Sequence, residues 1–207
     1  MKRIFWDWNG TLLDDTAAAL STLNKMLAKR SVPEISMEFY RENFAFPVKP
    51  FYTAIGMVLE GEDWDAIARE YHDVYAEQPK RLNPDAPAAL KTAEAAGAAQ
   101  CIISALRQDL LEADTLNYGV RGFFDYVFGV DNLDGSSKIS RAKELLSLCE
   151  GDDIVLIGDS LHDNEVAEEL GVKCVLCSQG SHAHNRLAAV APTAATLPEA
   201  VNIALRI

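Results

Sequence analysis

The sequence predicts an α/β fold, a parallel sheet with helices on both faces, and three features of its 207 residues carry that expectation. Short, largely apolar runs recur at 3–6, 101–103, 153–157 and 172–177, and runs of that length suit strands buried on both faces. From about residue 82 onward these runs alternate with stretches of helical spacing, as in βαβ units. Between the first run and residue 82 no convincing strand pattern intervenes and the texture is helical, so the first crossover holds a small all-α insert. The layout is therefore Rossmann-like, with a core of residues 1–14 and 82–207 and an insert of residues 15–81. A chain of this length exceeds one typical domain and falls short of two, which suits that division.

The elements follow in order. Residues 3–6 deliver Asp7 into the turn 8–11, where Gly10 lets the backbone bend sharply. In the insert, 16–29 carries Leu20, Leu23 and Leu27, and 63–77 carries Trp64, Ile67, Tyr71 and Tyr75, both at helical spacing. The segment 44–52 holds four aromatics and two prolines, too irregular for one helix, and is expected to be a loop facing the sheet. The Ala-rich stretch 84–96 reads as a helix stopped by Gly97. A strand at 101–103 ends at Ser104, followed by a helix over 109–118, an aromatic strand over 123–130 and a helix over 139–149. Residues 153–157 form the clearest buried strand and end at Gly158-Asp159. A helix at 165–170, a strand at 172–177 and a helix at 197–205 complete the pattern.

A formal net charge of -12 argues against nucleic acid and anionic membrane surfaces as partners, since both are bound largely through Lys and Arg. Phosphate esters are anions too, but a divalent cation held by carboxylates reverses the local sign. No apolar run approaches the ~18–20 residues that span a bilayer, and the amino terminus lacks a signal-peptide core, so a cytoplasmic location is expected. The four cysteines show no disulfide spacing. Cys174 and Cys177, followed by His182 and His184, resemble a zinc set only superficially, because residues three apart on a strand point to opposite faces.

The chemistry lies at the strand ends, where an open parallel sheet binds ligands. They supply Asp7, Ser104 and the pair Asp159 and Asp163, while Lys138 comes from a later turn. Each is weak evidence alone; Asp163, for instance, serves as readily as a helix cap. As an ordered set they are specific.

With these residues the chain resembles the haloacid dehalogenase-like hydrolases, most of whose members are magnesium-dependent phosphatases. Asp7 to Thr11 matches the family's first motif, usually DxDGT, except at Asn9; Ser104 matches the second, Lys138 the third, and residues 158–163 the fourth, usually GDxxxD. The insert sits where the family places a small α-helical cap, and the size and layout are similar to phosphoglycolate phosphatase-like members. The resemblance implies an aspartyl-phosphate on Asp7 and Mg2+ held by Asp7, Asp159, the main-chain carbonyl of Asn9, and Asp163 directly or through water. It further implies phosphoryl contacts from Ser104, Thr11 and the N–H groups around Gly10, and charge compensation by Lys138. Arg41, Lys49 and the aromatics of 44–52 are the candidate substrate-selecting residues, the alternative being that they pack the insert, as Phe and Tyr mainly do. The expected partner is a small phosphorylated metabolite, with phosphoglycolate as the family-based guess, and the chain is expected to be a monomer or homodimer.

Asn9 stands where the family has the acid that protonates the leaving group and then activates water. Asparagine does neither, and such catalysis is worth roughly 10²- to 10⁴-fold. Asp14, Asp15 or a cap residue are the candidates to replace it. Two other readings stay open: a weakly active or non-catalytic phosphometabolite binder, and a haloacid dehalogenase, which needs no leaving-group proton but has no use for Asp159 and Asp163.

Overall fold

The protein is described from a computed structural model, which covers residues 1–131 and 138–207. Six parallel strands form the main sheet: β1 (Lys2–Trp6), β4 (Ala99–Arg107), β5 (Tyr126–Val130), β6 (Asp153–Gly158), β7 (Lys173–Cys177) and β8 (Thr193–Ala194). Their spatial order is β5-β4-β1-β6-β7-β8. The chain winds outward from β1 in one direction through β4 and β5, then returns to the other side of β1 for β6. The β1/β6 junction is thus the topological switch point, the crevice where such sheets take ligands.

Alternation along the strands splits the core into two layers. Ile4 and Trp6 face one side, with Ile102, Val155 and Val175, against α5 (Ala86–Ala95), α6 (Gln108–Asn117) and α10 (Leu197–Ala204). Phe5 faces the other, with Cys101, Ile103, Leu156 and Leu176, against α7 (Lys138–Leu148) and α8 (Leu161–Leu170). Cys174 lies in this second layer and Cys177 in the first, so the strand separates them as expected; all four cysteines are free and buried.

The insert holds α1 (Thr16–Lys29), α2 (Met37–Asn43), α3 (Val48–Ala54) and α4 (Trp64–Ala76), packed on a core of their own around Leu23, Met26, Leu27, Tyr40, Phe51 and Ile67. Its entry and exit are tied by a short antiparallel ribbon, β2 (Leu13–Asp14) with β3 (Arg81–Leu82), which the sequence does not reveal because two residues carry no periodicity. The expected loop at 44–52 is in part α3: Pro47 occupies the N-cap, where its missing N–H costs nothing, and Phe51 and Tyr52 are buried.

Several boundaries differ from expectation. Strand β4 continues past Ser104 to Arg107, with its register against β5 shifting between Ile103 and Arg107. The aromatic strand begins at Tyr126, because Arg121–Phe123 form a 3₁₀ turn. The short helix α9 (His184–Ala188) and strand β8 carry too little pattern to be legible. Lys138, expected in a turn, instead opens helix α7, and the residues just before it lie outside the described residues. Among the described residues no helix is long and apolar enough to cross a membrane.

Candidate active site

Strand β1 ends beneath a cavity of about 190 Å³ between the insert and the sheet, with Asp7, Ser104, Lys138, Asp159 and Asp163 on its wall. Ligand oxygens of Asp7, Asp159 and Asp163, all buried, lie within 4.8 Å of one another. The segments that carry them converge because β1 and β6 pair in parallel register, Trp6 beside Ile157, so both strands end at the same edge.

Glycines make this approach feasible. Gly10 adopts φ +78°, and a Cβ there would lie 2.3 Å from Asp159 Oδ2; a Cβ on Gly180 would lie 2.1 Å from the same oxygen, and one on Gly158 would lie 2.3 Å from Asp163 Cγ. Each is sterically excluded. The Asp159 carboxylate is thereby wedged between two backbone segments, with the Ser181 N–H donating to its Oδ2 at 2.5 Å.

Asp163 works with both oxygens. Oδ2 accepts from the Ser160 N–H at 3.0 Å and the Ser160 hydroxyl at 2.7 Å, closing a capping box at the start of α8. Oδ1 accepts from Lys138 Nζ at 2.6 Å. The same ammonium donates to Asp7 Oδ1 at 2.6 Å, leaving Asp7 Oδ2 with the Thr11 hydroxyl at 3.2 Å; that hydroxyl also stands 3.3 Å from Asp159 Oδ1.

The electrostatics follow from burial. Desolvation pushes the Asp7 carboxyl well above the usual range, with Lys138 opposing and Asp163 adding to the rise. Asp159 is likewise raised well above its usual value, by burial and by the charges of Asp7 and Asp163. At Asp163 the same burial is outweighed by Lys138 and Ser160, so its carboxyl is lowered. Burial would lower Lys138, but Asp163 and Asp7 raise it above the ordinary ammonium value. The ammonium pairs with Asp7 and Asp163, and together with Asp159 the three carboxyls form an all-oxygen donor set that carries two uncompensated negative charges once all are ionised. That set fits a hard dication such as Mg2+.

The neighbourhood of Asn9 contains an acid. Asn9 Nδ2 donates to Asp15 Oδ2 at 2.7 Å and to the Tyr75 hydroxyl at 3.0 Å, and Tyr75 in turn donates to Asp15 Oδ2. The Gly10 N–H donates to Asp15 Oδ1 at 2.6 Å and to the Leu13 carbonyl at 3.0 Å. Burial raises the Asp15 carboxyl, and the bonds from Tyr75, Asn9 and Gly10 hold that rise back. Asp14 instead pairs with Arg81 at the ribbon, away from the cavity wall.

The structure does not bring every expected residue to the cavity. Arg41 donates to the carbonyls of Gly180 at 3.0 Å and Gln179 at 2.9 Å, so it clamps the insert to the loop after β7. Lys49 is exposed and stands 5.5 Å from the centre of the Trp64 ring. Neither lines the cavity; nothing in their sequence spacing could reveal which way these long side chains turn. The Gly10 N–H is committed to Asp15 and Leu13 rather than facing the cavity, because the left-handed turn aims it inward. Ser104 lines the cavity and accepts from the Leu106 N–H at 3.0 Å, which leaves its own hydroxyl hydrogen to donate. Tyr75 and Ser181 were not anticipated. The turn-rich stretch 178–181 after a strand was the signal for Ser181; Tyr75 read only as a helix core position.

The family description "Haloacid dehalogenase-like hydrolase" matches residues 4–177. The chain is 27% identical over 191 residues to "Phosphoglycolate phosphatase" of Caulobacter vibrioides, covering 86% of this chain and 79% of that one. It is 25% identical over 203 residues to "Probable phosphatase IndB" of Dickeya dadantii, covering 91% and 86%. In three dimensions it is similar to a predicted phosphatase from Clostridium acetobutylicum, with a TM-score of 0.81 at 16% identity, covering 100% of this chain and 99% of that one. With the motif residues gathered at one sheet edge and the match spanning most of the sequence, the chain belongs to the haloacid dehalogenase-like hydrolases.

Proposed function

We propose that the protein is a Mg2+-dependent phosphatase of small phosphomonoesters that works through an aspartyl-phosphate on Asp7. The observation that carries this reading is the buried trio Asp7, Asp159 and Asp163, with ligand oxygens within 4.8 Å of one another and a single ammonium between them. The phosphatase names of two relatives support it. Mg2+ would be held by Asp7, Asp159, the main-chain carbonyl of Asn9, and Asp163 directly or through water, and when bound it supplies neutralisation and alignment of the phosphoryl oxygens.

The chain's own residues do the rest. Asp7 attacks phosphorus in line; the bond from phosphorus to the alcohol oxygen breaks and its electron pair stays on that oxygen. The Asp15 carboxyl gives up its proton there. Water then attacks the phosphorus of the aspartyl-phosphate, its proton passes to Asp15, and Asp7 is released as carboxylate with inorganic phosphate. Lys138 offsets charge on Asp7 in both steps and Ser104 offers a hydroxyl donor toward the phosphoryl group, whereas Thr11, expected to do the same, is buried off the cavity lining with its hydroxyl on Asp7 and Asp159. Tyr75 arrives with α4 and orients Asp15, so the proton-transfer group is complete when the insert covers the site. This assignment selects Asp15 from the three replacements considered for Asn9, because it lines the cavity and bonds Asn9 directly.

The test is Mg2+-supported release of p-nitrophenol from p-nitrophenyl phosphate, with Asp7→Asn as the paired variant. Turnover that vanishes in the variant and in chelator is expected. Phosphate or vanadate binding with no turnover on any ester would leave the non-catalytic binder as the reading; activity surviving in Asp7→Asn would remove Asp7 as nucleophile.

A further inference from the structure

The cavity is charged at the strand ends, but away from them its lining is largely apolar. From the insert come Leu23, Phe46, Val48, Tyr52 and Trp64, and from the core comes Leu106. Among the described lining residues Lys138 is the one Lys or Arg, and it is held at 2.6 Å by both Asp7 and Asp163. The segment 132–137, Asn-Leu-Asp-Gly-Ser-Ser, contains no cation by sequence. The two imidazoles on the wall are already engaged, His162 with Glu165 at 3.0 Å and His72 edge-on against Tyr71.

The cations of the insert are also turned to other partners. Arg41 bonds two main-chain carbonyls, Arg30 pairs with Glu70 at 2.8 Å, and Lys80 donates to the Tyr75 carbonyl at 2.7 Å. Lys49 lies over the Trp64 ring. A carboxylate on the substrate's alcohol half would enter this space without a partner and lose its hydration. An alkyl or aryl group would instead gain by burial against the same side chains.

We propose that the alcohol half of the substrate is a compact, uncharged apolar or aromatic group, in preference to a carboxylate-bearing one such as glycolate; the inference rests on the phosphomonoesterase reading above. Volume limits the size. About 190 Å³ is below the ~300–1,000 Å³ of sites for drug-sized ligands and close to the ~150 Å³ of an apolar cavity that takes up benzene. The phosphoryl group takes part of that space, so a branched alkyl chain up to a single ring is the upper limit of bulk for the alcohol half.

Non-hydrolysable phosphonates test this independently of turnover. Isobutylphosphonate and phosphonoacetate are near isosteres that differ in a methyl pair against a carboxylate. Titration calorimetry in Mg2+ should show isobutylphosphonate and benzylphosphonate binding at least about tenfold more tightly than phosphonoacetate. The kcat/KM for isobutyl phosphate should exceed that for phosphoglycolate in the same direction, and both preferences should persist in Lys49→Ala. Equal or tighter binding of phosphonoacetate overturns the inference, as does a Lys49→Ala variant that loses phosphonoacetate affinity selectively, since the lysine then reaches into the cavity. Retention of the phosphonate order without hydrolysis of either ester supports the ligand class while overturning the phosphomonoesterase reading.

Discussion

Replacing Asp15 with Asn should slow hydrolysis of alkyl phosphates by about 10²- to 10⁴-fold, which is ~3–5 kcal/mol of transition-state stabilisation. The four acids on the cavity wall are Asp7, Asp15, Asp159 and Asp163. In the proposed mechanism Asp7 is the nucleophile and Asp159 and Asp163 hold the ion, so Asp15 is the carboxyl left there to move a proton. p-Nitrophenolate leaves without protonation, so its kcat should fall far less. Geometry also fixes the outcome at Asn9. Because Asn9 Nδ2 lies 2.7 Å from Asp15 Oδ2, Asn9→Asp sets two carboxylates in contact, a repulsion of ~6 kcal/mol at an effective dielectric constant of about 20. The pair then retains one shared proton near neutral pH, and the single variant gains less than tenfold because the proton work is already done. The exchange variant Asn9→Asp/Asp15→Asn restores an acid on the same hydrogen bond and should recover at least about tenfold over Asp15→Asn. The assay is steady-state kcat and KM on isobutyl phosphate and p-nitrophenyl phosphate, with folding followed by circular dichroism. Undiminished alkyl phosphate turnover in Asp15→Asn, or an equal fall on both substrates, would refute the assignment; the latter would mean that Asp15 only braces the Gly10 turn.

Three further outcomes are expected. Gly10→Ala forces a Cβ to 2.3 Å from Asp159 Oδ2 at φ +78°, so it should abolish Mg2+-dependent turnover and lower the melting temperature; wild-type behaviour would mean that the turn relaxes freely. Mg2+ at 100 times its Kd should stabilise the fold by about 2.7 kcal/mol, read as a melting shift that Asp159→Asn removes. His182 is a pH-sensitive core residue outside the acidic cluster: its Nδ1 accepts from the Leu161 N–H at 2.9 Å, and burial, with the Arg186 charge, pushes it from 6.5 down to about 4 against the opposing pull of Asp163 and the Phe44 carbonyl. A base depressed by folding contributes its full stability above 6.5 and loses it as pH falls toward 4, ~3 kcal/mol in all. Urea unfolding of the protein and of His182→Gln, which keeps an acceptor, should diverge across that window; parallel curves would exclude His182 as the source.

Asp7 and Asp159 were legible in the sequence because each directly follows a buried strand, and strand ends are local features, whereas Ser104 lies within β4 and Lys138 and Asp163 lie in helices. The apolar runs at 3–6 and 153–157 place Asp7 and Asp159 at one edge once both strands join a parallel sheet, as Trp6 and Ile157 do. The placement of Asp163 was half legible: its spacing suggested either a helix cap or a site acid, and one oxygen caps α8 while the other meets Lys138 beside Asp7. Helix α3 was not legible because aromatics and prolines in 44–52 obscured its short period.

By itself the sequence determined five of the six strands of the main sheet, the helical texture of the insert and the identity of the charged residues, since alternation and spacing are properties of neighbours along the chain. Only the tertiary structure decided that Asp15, Asn9 and Tyr75 meet, the last two 66 residues apart, and that Arg41 turns to the loop after β7 while Lys49 turns to Trp64. The reason is physical: a flexible side chain takes the direction of the partner that docking brings to it, and docking of the insert on the sheet edge is a contact between distant segments that no local period encodes.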